Sequence, residues 1–400
     1  MGDQQYSLGK PAETLEDSIH VSNIRVGDTQ SRLERTPSDP ILLPITQGGV
    51  EVDRNVIKGV PIHDYTPHGK LADIRLDVAL PIPGSTLLHS QQLGESLWGE
   101  TAKLTVKLPD GTSKDYFLKV VPKLGSIGKQ MCHGEFESLT AIDNASPGFA
   151  PKPYAWGQIA GEEDSYFLLA EFRHIACQPA EPTKLARRLA EMHMHSLSPT
   201  GKFGFHIFTC HAKVIQAVDV WDDSWCLIFG RHLGHIIDLA SPVLEWPEFD
   251  IMSRLVLNKV VPRLLLPLQS DGRVLKPSLV HGDCWDGNTA MDMKSGEAFI
   301  FDVYSFYGHN EYDTGNWRAP RHRLSNRAYM ENYKLHFPPS EPVEDWDARN
   351  LLYSLPFNLG NAIFVPGSSQ RQLVYEDMTT LCELFCPDAL RQRMELSREV

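Results

Sequence analysis

Four hundred residues suffice for two domains or two lobes, each with its own core. A content of 42% hydrophobic and 22% charged residues excludes both wholesale disorder and a membrane class. The net charge of −13 argues against a general nucleic-acid binder, which needs clustered lysine and arginine to neutralise phosphates, and leaves a small neutral or cationic substrate easier to accommodate.

Residues 1–50 are polar, carry turn signals such as TPSDP and show no sustained period, which predicts a mobile extension. MGDQQYSLGK at the start has no apolar core of the kind a secretory signal carries. The seven cysteines are scattered, with Cys382 and Cys386 the one close pair, so a reducing, cytoplasmic setting is expected. The longest apolar window, Leu255 to Leu268, is broken by Asn258, Lys259, Pro262 and Arg263; it falls short of the roughly 20 apolar residues a span requires, so no membrane partner is expected.

A glycine-bearing loop, LGESLWGE, precedes the first regular pattern. Its Gly94, Ser96 and Gly99 resemble the Gly-x-Ser-x-Gly elbow of serine hydrolases, but the spacing is one residue too long and a strand follows where an elbow needs a helix. As a turn between two strands the loop suits phosphate covering, with Ser96 and Thr101 as hydroxyl donors. Ala102, Leu104, Val106 and Leu108 then alternate with polar residues, PDGTSK makes a turn, and DYFLKVV resumes an apolar strand. The next pattern, KQMCHGEFESLTAI, reads as a helix with Met131, Glu135, Leu139 and Ile142 on one face, whereas Glu137 points to the opposite side. A carboxylate facing a core is costly unless a cation meets it. SYFLLAEF predicts a buried strand, and TKLARRLAEMHMHSL an amphipathic helix on which His193 and His195 diverge and share no metal. Beyond it the pattern is mostly helical. The chain therefore divides into a strand-rich lobe over 51–172 and a helix-rich lobe over 173–400, an α+β arrangement.

One polar cluster interrupts the helical half. LVHGDCWDGN leaves a strand with Asp283 and Asn288 five residues apart, and a hairpin, TAMDM-KSGE-AFIFD, brings Asp302 to its end. That order suits metal-assisted phosphoryl transfer: one carboxylate takes a substrate hydroxyl proton, while an amide oxygen and a second carboxylate offer hard ligands to Mg²⁺ beside ATP phosphates. Upstream, Lys119 on a core strand and Glu135 on a core-facing helix form the type of pair that positions α and β phosphates. His281 reads as a brace for the loop, and Glu311 and Asp313 as groups that hold it by capping or ion pairing.

The stretches YFLKV, MCHGEFESL, FAPKPYAWG, GKFGF with WDDSW, LVHGDCWDGN and FYGHNEYDTGNWR resemble the fructosamine/ketosamine-3-kinase family, its fungal-type members above all. The resemblance runs from about Gly94 into the C-terminal helices. It implies the aminoglycoside-phosphotransferase-like branch of the two-lobed protein-kinase-like fold. Asp283 would be the catalytic base, Asn288 and Asp302 the Mg²⁺ ligands, Lys119 and Glu135 the phosphate-positioning pair, and Glu171, Phe172 and Arg173 the hinge whose backbone meets adenine. Trp285 would stack on the acceptor. The implied reaction transfers the γ-phosphate of ATP to a sugar hydroxyl, the 3-hydroxyl of a ketosamine carried free or on a protein. The alternative acceptor is an aminoglycoside-like, choline-like or secondary-metabolite hydroxyl. Cys284 stands where the family has leucine, and Val303, Tyr304 and Ser305 are larger than its pattern.

Overall fold

A computed structural model of the chain describes residues 80–95, 99–364 and 370–396; the predicted extension over 1–50 and Ser96 of the glycine-bearing loop lie outside them. The strand-rich part holds β1 (Thr86–Glu95), β2 (Glu100–Lys107), β3 (Ser113–Val121), α1 (Gly125–Ala145), β4 (Pro153–Gln158) and β5 (Tyr166–Glu171). The strands form one sheet in the order β1-β2-β3-β5-β4, antiparallel throughout. The β2–β3 turn is fixed by Asp110, whose carboxylate accepts from the Thr112 amide at 2.9 Å and hydroxyl at 2.6 Å. β1 is the strand expected before the glycine-bearing loop, but its extent, Thr86–Glu95, carries no sequence pattern. It is an edge strand with exposed Leu88 and Leu93 and many polar residues, so it lacks the one-sided alternation that announces a strand.

The period of two sorts β3 between two cores. Tyr116, Leu118 and Val120 join Ala102, Leu104, Val106, Phe167 and Leu169 in a small cluster on one face. Phe117, Lys119 and Val121 face the other way, where α1 and the larger core lie. α1 meets that face with Met131, Cys132, Glu135, Leu139 and Ile142 buried. Glu137 is half-buried on the opposite side, between His133 and His206.

The helix-rich part follows as α2 (Pro182–His195), the hairpin β6 (Thr209–His211) and β7 (Val214–Gln216), α3 (Trp225–Leu244), α4 (Pro247–Leu255), a π-helical turn Val256–Val260, and α5 (Val261–Leu265). Then come β8 (Ser278–Val280), β9 (Thr289–Met291), β10 (Ala298–Ile300), β11 (Phe306–Gly308), α6 (Tyr312–Gly315), α7 (Arg327–His336), α8 (Trp346–Phe364), α9 (Gln370–Phe385) and α10 (Pro387–Leu396). α2 begins where Glu181 caps the amides of Thr183 and Lys184, and it packs on α7 and β8. The centre of this part is aromatic: Trp225, Phe229, Phe306, Tyr312 and Tyr353 pack together, Phe229 on Tyr353 and Phe306 on Tyr312 edge to face, and the Trp225 indole donates to the Tyr353 hydroxyl at 2.8 Å. Among the described residues no helix is long and apolar enough to cross a membrane.

Two short ladders position the polar cluster. β8 pairs with β11 and β9 with β10, both antiparallel, so the loop 281–288 starts from one ladder and ends in the other. β10 ends at Ile300, and Asp302 lies two residues beyond it, in left-handed backbone with φ 55° rather than on the strand itself.

Candidate active site

Lys119, Glu135 and Asp302 meet where β3, α1 and the end of the β9–β10 hairpin converge. The Lys119 ammonium lies 2.7 Å from Glu135 Oε2 and 2.6 Å from Asp302 Oδ1. Burial disfavours the Lys119 charge, but the two carboxylates outweigh it and hold its pKa above the usual lysine range. Burial, with the neighbouring Asp302 charge, pushes the Glu135 carboxyl up against the pull of Lys119. Asp302 is driven the other way: burial would raise it, yet Lys119 and the Tyr304 hydroxyl keep it below the carboxylate norm. One cation thus serves two carboxylates.

The Asp283 carboxylate is held from three sides. Asn316 Nδ2 donates to Oδ1 at 2.9 Å, Asn288 Nδ2 to Oδ2 at 3.1 Å, and His211 Nε2 lies 3.3 Å from Oδ2. Burial would lower the His211 pKa, but the Asp283 charge and hydrogen bond raise it. The loop beneath is braced by His281. Its Nδ1 accepts from the Asp283 amide at 3.1 Å, and Nε2 meets the Phe301 carbonyl at 3.2 Å, a pairing that requires the neutral Nε2–H tautomer. Burial agrees, holding His281 below its ordinary pKa.

Asp313 on α6 anchors this loop. Its carboxylate accepts the amides of His281 at 2.7 Å and Gly282 at 3.0 Å, and His193 Nε2 completes the set at 3.1 Å. His193 is therefore a buried link between α2 and the loop, while His195 is exposed. Glu311 forms a buried ion pair with Arg349 at 2.9 Å and caps the Ser340 amide. Of the departures from the family pattern, Cys284 and Val303 enter the core, the Ser305 amide donates to Ser138 Oγ, and Tyr304 reaches Asp302.

Asn288 commits its amide nitrogen to Asp283, and among the described residues no hydrogen bond engages its Oδ1; the Phe301 amide donates to the Asn288 carbonyl at 3.1 Å, keeping the hairpin end beside it. Asn288 and Asp302 are two hard oxygen donors, the type Mg²⁺ takes when phosphate oxygens and water complete its shell. Among the described residues no group of three or more His, Cys, Asp or Glu could hold a metal ion.

The remaining sequence candidates lie along the sheet. Gly94 and Thr101 are paired partners across β1 and β2, and the Thr101 hydroxyl donates to the Gly94 carbonyl at 3.2 Å, so that hydroxyl has a local use. At the end of β5, the Glu171 amide donates to the Lys152 carbonyl at 2.8 Å, and Phe172 and Arg173 follow directly. The Arg173 side chain is tied to Glu171 and Asp292, at 2.8 and 3.3 Å, and so staples the two lobes. Lys103 lies over the Phe172 ring.

A cleft of about 310 Å³ opens on Asp283. Trp285 lines it, with its ring 5.1 Å from that of His322, and Gly287 lies so close beneath the indole that a Cβ there would approach it to 2.2 Å. Sequence reading missed His211, Asn316, Arg321, His322 and Asn361, which complete the lining. Asn316 lies inside the EYDTGNWR run, and Arg321 and His322 follow it closely enough to be suspected; His211 and Asn361 carry no local signal.

A sequence profile described as fructosamine kinase matches residues 89–376. The chain belongs to the fructosamine kinase family. A rice (Oryza sativa subsp. japonica) chloroplastic protein-ribulosamine 3-kinase is 32% identical over 198 residues, 49% of this chain and 54% of the relative. Mouse (Mus musculus) ketosamine-3-kinase is 29% identical over 221 residues, 49% of this chain and 67% of the relative. The chain spans about half the length of the plant relative. Among solved structures, a Haemophilus somnus protein provisionally assigned as a fructosamine-3-kinase superposes with a TM-score of 0.60 at 18% identity, covering 75% of this chain and 92% of that one. A Thermobifida fusca protein of the same provisional assignment gives 0.58 at 20% identity, covering 75% and 95%. The fold of the family, a strand-rich lobe over a helical one in the manner of protein kinases, is the fold of this chain.

Proposed function

We propose that the chain is an ATP- and Mg²⁺-dependent sugar-amine kinase that phosphorylates the 3-hydroxyl of a ketosamine, free or carried on a protein. The observation that carries this reading is the Asp283 carboxylate, fixed by two amides in a cleft that Trp285 also lines. In that position Asp283 accepts the proton of the acceptor hydroxyl as its oxygen bonds to the γ-phosphorus and the bond from that phosphorus to the β–γ bridging oxygen breaks, releasing ADP. The Asn316 and Asn288 donors keep the carboxylate aimed, and His281 and Asp313 hold the loop so that no reorganisation is needed. Lys119, steadied by Glu135, would neutralise the α and β phosphates. Asn288 and Asp302 would hold Mg²⁺, which when bound supplies charge neutralisation at the β and γ oxygens. The Glu171 carbonyl and the backbone of Phe172 and Arg173 would meet adenine, and the glycine-bearing loop with Gly94, Ser96 and Thr101 would cover the phosphates.

The free state of the seven cysteines supports a reducing compartment such as the cytoplasm. The test is ATP turnover with Mg²⁺ and a fructosyl- or ribulosyl-amine, with the phosphorylated position read by ³¹P NMR. Asp283→Asn should lower kcat by about 10²- to 10⁴-fold while the thermal midpoint is kept. Wild-type rates in that variant would remove Asp283 as the base.

A further inference from the structure

The lining of the cleft is electrically unusual for an enzyme whose acceptor is only an amine. Asp283 is its one carboxylate, set against Arg321, His211 and His322. His211 is engaged by Asp283 itself, and His322 Nδ1 lies 3.6 Å from Asp286. Arg321 differs: among the described residues no carboxylate pairs with it.

The guanidinium is nevertheless held in place. Its Nη1 donates to Asn358 Oδ1 on α8 at 3.1 Å and to Gln370 Oε1 at the start of α9 at 2.7 Å. Both anchors are neutral amides, and both engage the same nitrogen. The opposite edge, formed by Nε and Nη2, meets no partner among the described residues. Those two N–H groups are parallel, the geometry that receives a carboxylate through two hydrogen bonds at once. The side chain is exposed at the cleft, within electrostatic reach of Asp283, so a group bound there sits beside a sugar whose hydroxyl is on the base.

We infer that Arg321 is a specificity residue that receives a carboxylate of the acceptor, and that the acceptor is a ketosamine formed on a free amino acid, with its α-carboxylate adjacent to the amine. This rests on the ketosamine reading above and narrows it. A zwitterionic adduct matches the cleft: the sugar on Trp285 and Asp283, the carboxylate on the Nε and Nη2 edge of Arg321. An amine without an anionic group leaves that edge to water.

The test compares N-(1-deoxyfructosyl)glycine with its methyl ester, each with ATP and Mg²⁺, in wild type, Arg321→Gln and Arg321→Lys. Wild type should favour the acid in kcat/KM by about 10- to 100-fold, the range for a charge-assisted pair of hydrogen bonds. In Arg321→Gln the acid-to-ester ratio should fall toward unity through the KM of the acid, and Arg321→Lys should restore part of it. If Arg321 serves only to link α8 and α9, both acceptors lose activity in parallel and the ratio stays, which overturns the inference. Equal turnover of acid and ester by wild type removes the inference and leaves the ketosamine reading standing. Turnover of neither removes that reading and the inference with it.

Discussion

Lys119 stands between two carboxylates that would otherwise face each other, Glu135 buried and Asp302 open to solvent over about a third of its side chain. Removing the cation leaves the buried Glu135 without a partner; with solvent screening at Asp302 and protonation open to Glu135, the loss is about 1–3 kcal/mol. Lys119→Met should therefore lower the free energy of urea unfolding by an amount in that range and raise the KM for ATP. A variant as stable as wild type would show that Glu135 and Asp302 find other partners or protonate. Asp283 shows a second residue-scale device. Two amide donors and one imidazole hold its carboxylate in position, and none of the three lies beside it in the chain except Asn288.

The loop between β8 and β9 is the element on which the site depends, and its path is set by backbone constraints. Gly282 has φ 89°, and a Cβ there would lie 2.2 Å from the Tyr304 carbonyl oxygen. Side chains rarely adopt that conformation, and the partner is main chain that cannot move aside. Gly282→Ala should cost about 3 kcal/mol by denaturant unfolding and displace Asp283, lowering kcat far more than the KM for ATP. Equal activity in that variant would mean that the loop reaches its position by another backbone path. Asp313 reinforces the same turn from α6. Burial would raise its carboxyl, but the His193 hydrogen bond and the His281 amide outweigh that and keep it ionised.

Across the whole molecule, buried histidines make stability depend on pH. Burial holds His232 down to about 3 and His309 down to about 4. Unfolded, each titrates near 6.5, so as pH falls below that value the unfolded chain binds protons that the folded chain refuses. Stability from these groups is full above about pH 6.5 and declines by about 1.4 kcal/mol per pH unit per histidine until the folded pKa is reached. His281, His235 and His322 shift in the same direction, whereas His211 is raised by Asp283 and acts oppositely. Urea midpoints between pH 7 and pH 5 should fall for the wild type, and His309→Gln should make the decline shallower by about one proton. An unchanged slope would assign the acid sensitivity to other groups.

The sequence by itself determined the hairpin of β2 and β3, helices α1 and α2, and the β9–β10 return, because each carries its own period or turn residue. It also marked Lys119, Glu135, Asp283, Asn288 and Asp302, since chemistry confined to a short loop, or a carboxylate on an apolar helix face, is visible locally. Placement of Lys119 opposite Glu135 followed from periods of two and 3.6 that any core must respect. Only the tertiary structure decided what surrounds them. His211 comes from β6, Asn316 and Arg321 from the segment after α6, and Asn361 from α8; their chain separation leaves no spacing to read. The shape and charge of the cleft therefore emerge only when four separate segments pack together, whereas each of the five marked residues carries its signal within its own element.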